Sequence, residues 1–124
     1  MRTKSFSINA RIKSFDFAFS GVIYFFKTEH NAWIHFLATI TILMLALIYK
    51  VSNIELLALV FVIGLVFITE ALNTAIEKLA DFVSATQHPQ IKIVKDVAAA
   101  AVLFAAFTAF VTGLIIFIPK IFSL

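Results

Sequence analysis

"NIELLALVFVIGLVFITEALNTAIEKLAD", residues 53–81, begins as a hydrophobic segment and ends in a series of acidic side chains. The part from 54 to 69 is apolar enough to cover most of the ~20 residues that cross a ~30 Å hydrocarbon core. Backbone groups in lipid must form hydrogen bonds within their own segment, so we expect a continuous helix here. Any function assigned to this chain has to account for the acidic side chains at the end of this helix.

The composition of the whole chain agrees with a membrane protein. Of 124 residues, 62% are hydrophobic and 14% are charged, against roughly 45–50% and about 25% in soluble domains. A soluble domain of this size lacks the interior to bury so much apolar surface. Cysteine is absent from the sequence, which excludes disulfides and thiolate metal sites. We expect one all-α membrane domain covering residues 1–124.

Four helices account for the pattern of the chain. Residues 1–28 are predicted to form an amphipathic helix in the membrane interface, followed by transmembrane helices at 29–49, 53–83 and 95–119. The apolar side chains of the first helix fall within an arc of about 100° on a helical wheel; they are Ile8, Ile12, Phe15, Phe19, Val22, Ile23 and Phe26. Packing of this helix on a soluble partner is the alternative.

The basic residues predict the orientation. Of the 10 Lys and Arg residues, only Lys50 and Lys120 fall on one side of a three-span arrangement. The others belong to the opposite side, which is therefore cytoplasmic. We expect a multi-pass membrane protein, without a cleaved signal peptide, whose N-terminus and acidic cluster face the cytoplasm.

The polar residues that end the second span share one face. On a helical wheel, Glu70, Asn73, Glu77 and Asp81 lie within an arc of about 80°. Glu70 lies about 24 Å along the helix from Ile54, still within the hydrocarbon, and Glu77 lies about 10 Å further, at the headgroups. An acid at such depth is a functional candidate by default. The alternative is that Glu70 is protonated or pairs with Asn73 and only fixes helix packing.

The sequence lacks the common motifs for zinc and for nucleotides. The three histidines form no HxxxH or HExxH pair, and no phosphate-binding glycine loop is present. A nucleotide would have to be held through Mg²⁺ on carboxylates, together with a few basic groups. Mg²⁺ accepts one or two protein carboxylates alongside phosphate oxygens.

Three stretches together resemble one family. "EALNTAIEKLAD" (residues 70–81), "FFKTEHNAWIH" (25–35) and "HPQIKIVKDVAAAAVL" (88–103) are similar in order and spacing to the signatures of the small prokaryotic membrane lipid kinases. That family contains diacylglycerol kinases and undecaprenol kinases. The resemblance covers nearly the whole chain. It implies a homotrimer with ATP and Mg²⁺ as cofactors, a membrane lipid alcohol as substrate, and no nucleic-acid partner.

The resemblance also implies roles for individual residues. Glu70 is expected to accept the proton of the lipid hydroxyl, and Glu29 and Glu77 are expected to hold Mg²⁺–ATP. Further nucleotide-site residues are Asn73, His88, Lys95 and Asp96, and lipid-substrate residues are Asn31, Trp33 and His35. In this arrangement the active sites form between subunits at the cytoplasmic interface.

The lipid substrate is left with two candidates. His35 replaces an acid that diacylglycerol-specific members carry in the first span, so the chain looks more like the undecaprenol kinase branch. Undecaprenol is therefore the favoured substrate and diacylglycerol the second. Two other classes of protein remain open on the residues alone: a small proton or cation transporter that uses Glu70, and a structural or regulatory membrane subunit.

Overall fold

The computed structural model describes residues 5–122 and consists of four helices. They are α1 (Ile8–Thr28), α2 (His30–Ile48), α3 (Asn53–Val83) and α4 (Pro89–Ile121). Three of them, α2 to α4, are long and apolar enough to cross a membrane. The all-helical architecture and the three candidate spans are therefore confirmed.

The boundaries of the helices follow from local capping. The predicted first helix was placed at 1–28, but α1 begins at Ile8, because the Ser7 side chain accepts a hydrogen bond from the Ala10 backbone nitrogen. Residues 1–4 of that prediction lie outside the described part of the chain. At the other end of the chain, α4 begins at Pro89 rather than at 95. His88 caps it by accepting a hydrogen bond from Gln90 N, and proline suits the first helical position.

The helices α3 and α4 form the most extensive pairing, and they run antiparallel along their length. Near the start of α3, Glu55 forms an ion pair of 2.7 Å with Lys120 of α4. Near the end of α3, Asp81 pairs with Lys95 at the other end of α4. The start of α3 is further fixed by a capping box between Ser52 and Glu55.

The apolar core lies at the Glu55–Lys120 end of the molecule. Leu59 of α3 is 1% exposed and packs with Ala46 of α2 and with Ile116 and Phe117 of α4. Tyr49 adds an edge-to-face contact with Phe117, with ring centroids 6.3 Å apart. Residues of α2, α3 and α4 therefore meet in one cluster. The cluster fixes the three helices relative to one another, and so it also positions their opposite ends.

The helix α1 is attached mainly through its last turns. Phe25 is the one residue of α1 that is buried, and Phe26 contacts the rings of Trp33, Phe36 and Phe67. The indole nitrogen of Trp33 donates a hydrogen bond of 2.7 Å to the Phe26 carbonyl. An apolar groove of about 520 Å³ lies between the last turns of α1, from Ala18 to Phe26, and the part of α3 from Phe67 to Lys78.

Shortening Leu59 tests the importance of the three-span cluster. We expect Leu59→Ala to lower the free energy of unfolding by about 2–5 kcal/mol, because the buried side chain leaves a cavity among α2, α3 and α4. Leu57→Ala, on the exposed side of the same helix, is the matched control and should change stability little. Thermal unfolding in detergent measures both, and equal shifts for the two variants would contradict the packing described.

Candidate functional site

The acid in the second span lies against a histidine of the first. Glu70 is 3% exposed as a residue, and its Oε1 lies 2.9 Å from Nε2 of His35 on α2. The predicted alternative partner, Asn73, makes a different contact. The pair joins α2 to α3, two of the three helices that are long and apolar enough to cross a membrane.

Two features hold this pair in place. The next turn of α3 begins with Thr74, whose buried hydroxyl donates to the Glu70 carbonyl at 3.0 Å. The ring of Phe67 stands edge-to-face to the His35 ring, with centroids 6.3 Å apart. Glu70 is thus an acid within an apolar helix that has a fixed polar partner, which is the usual condition for such a residue to be tolerated.

The second part of the polar face is a side-chain pair one to two turns further along α3. Asn73 Nδ2 donates to Oε1 of Glu77 at 3.3 Å. The other polar atom of the amide, Asn73 Oδ1, is buried and has no hydrogen-bond partner among residues 5–122. A buried carbonyl oxygen without a partner is costly unless a ligand or a water satisfies it.

Glu29 reaches the same region from the other side. It occupies the N-cap position of α2, but its side chain makes no capping hydrogen bond. The ammonium group of Lys78, the residue after Glu77, lies in the electrostatic field of Glu29 and Asp81. It also lies 5.7 Å from the centre of the Tyr24 ring of α1. The ends of α1 and α3 and the start of α2 thus converge at one end of the molecule.

The predicted nucleotide residues of α4 form a separate polar pocket beside this end. A cavity of about 190 Å³ is lined by Ser84, Thr86 and Gln87 of the connecting loop and by His88, Lys92, Lys95 and Asp96. Lys95 pairs with Asp81, and Lys92 pairs with Asp96. His88 is the N-cap of α4. The loop pocket therefore carries both signs of charge and is largely open to solvent.

The remaining predicted lipid-site residues do not join the pair. Asn31 is exposed in the first turn of α2, and Trp33 is bound to α1 through its indole nitrogen. The structure brings together His35 with Glu70 and Asn73 with Glu77. Within the described residues, no three His, Cys, Asp or Glu side chains form a cluster that could hold a metal ion by itself.

Sequence reasoning missed the pairing of His35 with Glu70. It placed His35 among residues that contact the lipid, and it gave Glu70 no partner outside its own helix. The available signal was the unusual presence of one ionisable side chain in each of two neighbouring spans, because such residues tend to pair with each other.

A small cavity borders this pair inside the three spans. It measures about 150 Å³ and is lined by His35, Ala38 and Ile42 of α2, Ile63 and Val66 of α3, and Ala106 and Ala109 of α4, among others. Its lining is mainly apolar. His35 lies near the start of α2, whereas the lining residues of α3 and α4 lie in the middle parts of their helices, so the cavity extends from His35 toward the centre of the helices.

These features define a class of protein. It is a membrane protein with three candidate spans, in which a buried acid of α3 is paired with a histidine of α2 and a carboxylate–amide pair lies further along α3. Such an arrangement can bind a buried substrate group at the first pair and a water-soluble group at the second, at two positions along α3.

Comparison with known proteins identifies the family. The family model for prokaryotic diacylglycerol kinase matches residues 16–117. An undecaprenol kinase of Bacillus subtilis is 37% identical over 114 residues, covering 92% of this chain and 93% of the relative. A diacylglycerol kinase of Synechocystis is 38% identical over 112 residues, covering 90% of this chain and 64% of the relative. The chain belongs to the prokaryotic diacylglycerol kinase family.

Membership of this family confirms the resemblance. The family consists of lipid kinases, which are phosphotransferases with an alcohol acceptor. This supports the kinase interpretation over the transporter and the structural subunit. The chain spans slightly less than two thirds of the Synechocystis relative and nearly all of the Bacillus relative.

The exposed ion pairs of the loop pocket should matter little for stability. Both partners of the Asp81–Lys95 pair are more than one third exposed, and such pairs contribute about 0–1 kcal/mol. We expect Asp81→Asn to leave the thermal unfolding temperature in detergent nearly unchanged. Lys92→Gln, which removes the neighbouring exposed pair, serves as the control. A loss of stability as large as that expected for Leu59→Ala would contradict this assessment.

Proposed function

We propose that this protein transfers the γ-phosphoryl group of ATP to the hydroxyl group of a membrane lipid. Undecaprenol is the favoured substrate and diacylglycerol the second. The observation that carries the proposal is the contact of the buried acid Glu70 with His35 across two apolar helices. Its distance along α3 from Ile54 supports a position within the hydrocarbon. A lipid hydroxyl is the substrate group that reaches such a depth, whereas ATP stays at the water-exposed ends of the helices.

The His35–Glu70 pair is the proposed proton acceptor at the lipid end. Phosphoryl transfer depends mainly on the positions of the reacting groups and on neutralisation of charge. A base within hydrogen-bonding reach of the hydroxyl lets the oxygen attack as its proton leaves. Because Glu70 is buried and already bonded to His35, no large rearrangement of the pair is needed to form this base.

Glu77 and Glu29 are the proposed residues for the Mg²⁺–ATP end. The unpartnered Asn73 Oδ1 beside Glu77 fits a ligand that supplies a metal ion or a hydrogen-bond donor. Mg²⁺ is commonly held by one or two carboxylates and by phosphates, which is the donor set that Glu29, Glu77 and ATP would supply. When bound, Mg²⁺ would neutralise charge on the phosphates. Lys95, Asp96 and His88 border the adjoining loop pocket and are proposed to contact the nucleotide.

The support for undecaprenol comes from two sources. The Bacillus relative that is named an undecaprenol kinase matches this chain over nearly its full length, whereas the diacylglycerol kinase relative is substantially longer. His35 also provides an imidazole partner for Glu70 where the resemblance places an acid in diacylglycerol-specific members. A site with two adjacent carboxylates differs in charge from a site with a carboxylate and an imidazole. We therefore expect the two sites to favour lipids with different headgroups.

The proposed setting is the bacterial inner membrane, with the active site on the cytoplasmic side and three copies in each assembly. The excess of basic residues near the N-terminus and the second loop supports that orientation. The exposed apolar side chains of α1, such as Ile8, Ile12 and Phe15, support a position in the membrane interface. The trimer, with sites between subunits, rests on the family resemblance.

The activity is tested with purified protein in detergent. Given Mg²⁺ and ATP labelled in the γ position, the protein should phosphorylate undecaprenol faster than diacylglycerol. Removal of Mg²⁺ with a chelator should abolish labelling, and restoring Mg²⁺ should recover it. No labelled lipid from either substrate, with the protein folded and trimeric in sedimentation measurements, would reject the proposed function.

Replacing the acid of the buried pair should stop turnover. We expect Glu70→Gln to lower kcat for lipid phosphorylation by about 100-fold or more, because the pair loses its charge. Binding of ATP should persist, since Glu70 lies away from the water-exposed end. A lipid phosphorylation assay measures turnover, and calorimetry measures nucleotide binding. Near-normal turnover would mean that Glu70 is not part of the proton acceptor.

Replacing the acid at the end of the helix should affect the nucleotide instead. We expect Glu77→Gln to weaken Mg²⁺–ATP binding by about 10-fold or more, because Mg²⁺ loses a charged oxygen ligand. Glu55→Gln, at the opposite end of α3, removes the same charge from the same helix and is the control. Equal nucleotide affinity in wild type and Glu77→Gln would contradict the ligand role.

A further inference from the structure

We propose that Lys78 contacts a phosphate oxygen of ATP and that the ring of Tyr24 holds the ammonium group in position for this contact. The inference rests on the proposed function and adds one cation to its nucleotide end. Lys78 is then a further nucleotide-binding residue, and Tyr24 is a positioning residue. Neither side chain lines the loop pocket described above.

The first argument is the positive charge that a triphosphate requires. Mg²⁺ neutralises only part of the charge on the phosphates of ATP, and lysine or arginine side chains commonly supply the rest. Both lysines of the loop pocket are already paired, Lys92 with Asp96 and Lys95 with Asp81. Each of these pairs is close to neutral as a unit, so it attracts a phosphate only weakly.

The second argument is that Lys78 keeps its charge. Among residues 5–122, no carboxylate forms an ion pair with its ammonium group. Its neighbour is the ring of Tyr24, whose centre lies 5.7 Å from Nζ. An aromatic face attracts a cation but carries no net charge, so the ring restrains the ammonium group without neutralising it. The side chain is exposed, and its N–H donors can therefore reach a ligand.

The third argument is the position of Lys78 on α3. It directly follows Glu77, and its ammonium group lies in the electrostatic field of Glu29. Successive residues of a helix are rotated by about 100°. The Glu77 side chain contacts Asn73 on its own helix, whereas Lys78 reaches the ring on α1. A ligand bound through a metal ion to both Glu29 and Glu77 would therefore lie next to Lys78.

The ring of Tyr24 is itself held in place by its neighbours. The next residue, Phe25, is buried, and the Phe26 carbonyl accepts the hydrogen bond from the Trp33 indole. The last turn of α1 is thus attached to the first turn of α2, and Glu29 lies between the two helices. The ring that restrains Lys78 and the proposed metal ligand Glu29 therefore belong to one fixed segment.

The same ammonium group would also suit the phosphate of an anionic lipid, because Lys78 and Tyr24 both border the apolar groove between α1 and α3. The surrounding charges favour the nucleotide. Glu29 and Asp81 act on the same ammonium group, and they would repel a headgroup that brings no cation of its own. The phosphates of ATP arrive with Mg²⁺, which these carboxylates attract.

The main test is Lys78→Met, which removes the charge and keeps an unbranched apolar chain beside the Tyr24 ring. We expect it to weaken Mg²⁺–ATP binding by about 10-fold or more, because a hydrogen bond between charged groups is lost. KM for ATP should rise by the same factor, whereas KM for the lipid and the thermal unfolding temperature should not change. Calorimetry in a neutral detergent without added phospholipid measures binding. An ATP affinity equal to that of wild type would overturn the proposal.

Two further variants control for charge. Lys50→Met makes the same replacement in the turn between α2 and α3, at the other end of the molecule, and should keep wild-type affinity for ATP. Lys78→Arg keeps a cation that binds phosphate and should retain most of the affinity. A loss in Lys50→Met as large as that in Lys78→Met, or no recovery in Lys78→Arg, would overturn the proposal.

A variant of the ring separates the phosphate contact from a role in docking α1. Tyr24→Leu removes the aromatic face but leaves the charge of Lys78 in place. We expect it to weaken ATP binding by about 3-fold or less, since only the restraint on the ammonium group is lost. If Lys78 merely attached α1 to α3 through the ring, both variants would break the same contact. Equal losses in Tyr24→Leu and Lys78→Met would therefore overturn the proposal.

The remaining outcomes are distinguishable from these. If an anionic headgroup is the ligand, Lys78→Met binds ATP as wild type does in neutral detergent, and its turnover falls only in mixed micelles that contain phosphatidylglycerol; this result would overturn the proposal. If wild type binds Mg²⁺–ATP but phosphorylates neither lipid, the proposed function fails. Wild-type turnover together with unchanged ATP affinity in Lys78→Met rejects only the role of Lys78.

Discussion

The contact between His35 and Glu70 is the interaction on which the functional end of the molecule depends. An acid within an apolar helix is tolerated when a polar group of a neighbouring helix satisfies it. Here that group comes from α2, so the contact fixes α2 against α3 about two turns before Glu77 along α3. The acid and its partner therefore act as a structural and a chemical unit at once, and replacing either one changes both.

The long α3–α4 pair supplies the frame for this unit. An ion pair, a capping box and an apolar cluster hold one end of the pair, whereas exposed ion pairs and a polar loop occupy the other. The helix α1 is joined chiefly through Phe26 and Trp33. The molecule is thus firmly packed at the end away from the proposed site and more open at the end where the nucleotide is proposed to bind.

The sequence predicted the helices better than it predicted the contacts between them. Long apolar segments and the shared face of Glu70, Asn73 and Glu77 depend on helical geometry alone, which a single chain reveals. The partner of Glu70 depends on how α2 and α3 are rotated about their axes and shifted along them, and no pattern within one helix contains that information. The first turn of α4 is not part of the predicted span at 95–119 for a different reason: the cap formed by His88 and Pro89 lies in a stretch that is too polar to be recognised as part of a span.

The length of α3 gives the protein a further property. Its 31 residues correspond to about 46 Å of helix, whereas the hydrocarbon core is ~30 Å thick. The apolar part of α3 covers residues 54–69, so the rest of the helix extends past the hydrocarbon into the headgroups and the water beyond. A change in the acyl-chain length of the lipids would therefore move the boundary between the hydrocarbon core and water along α3, relative to Glu70 and Glu77. Membrane thickness would then set how much water reaches the His35–Glu70 pair. The rate of the proposed reaction would thus depend on the thickness of the bilayer that contains the lipid substrate.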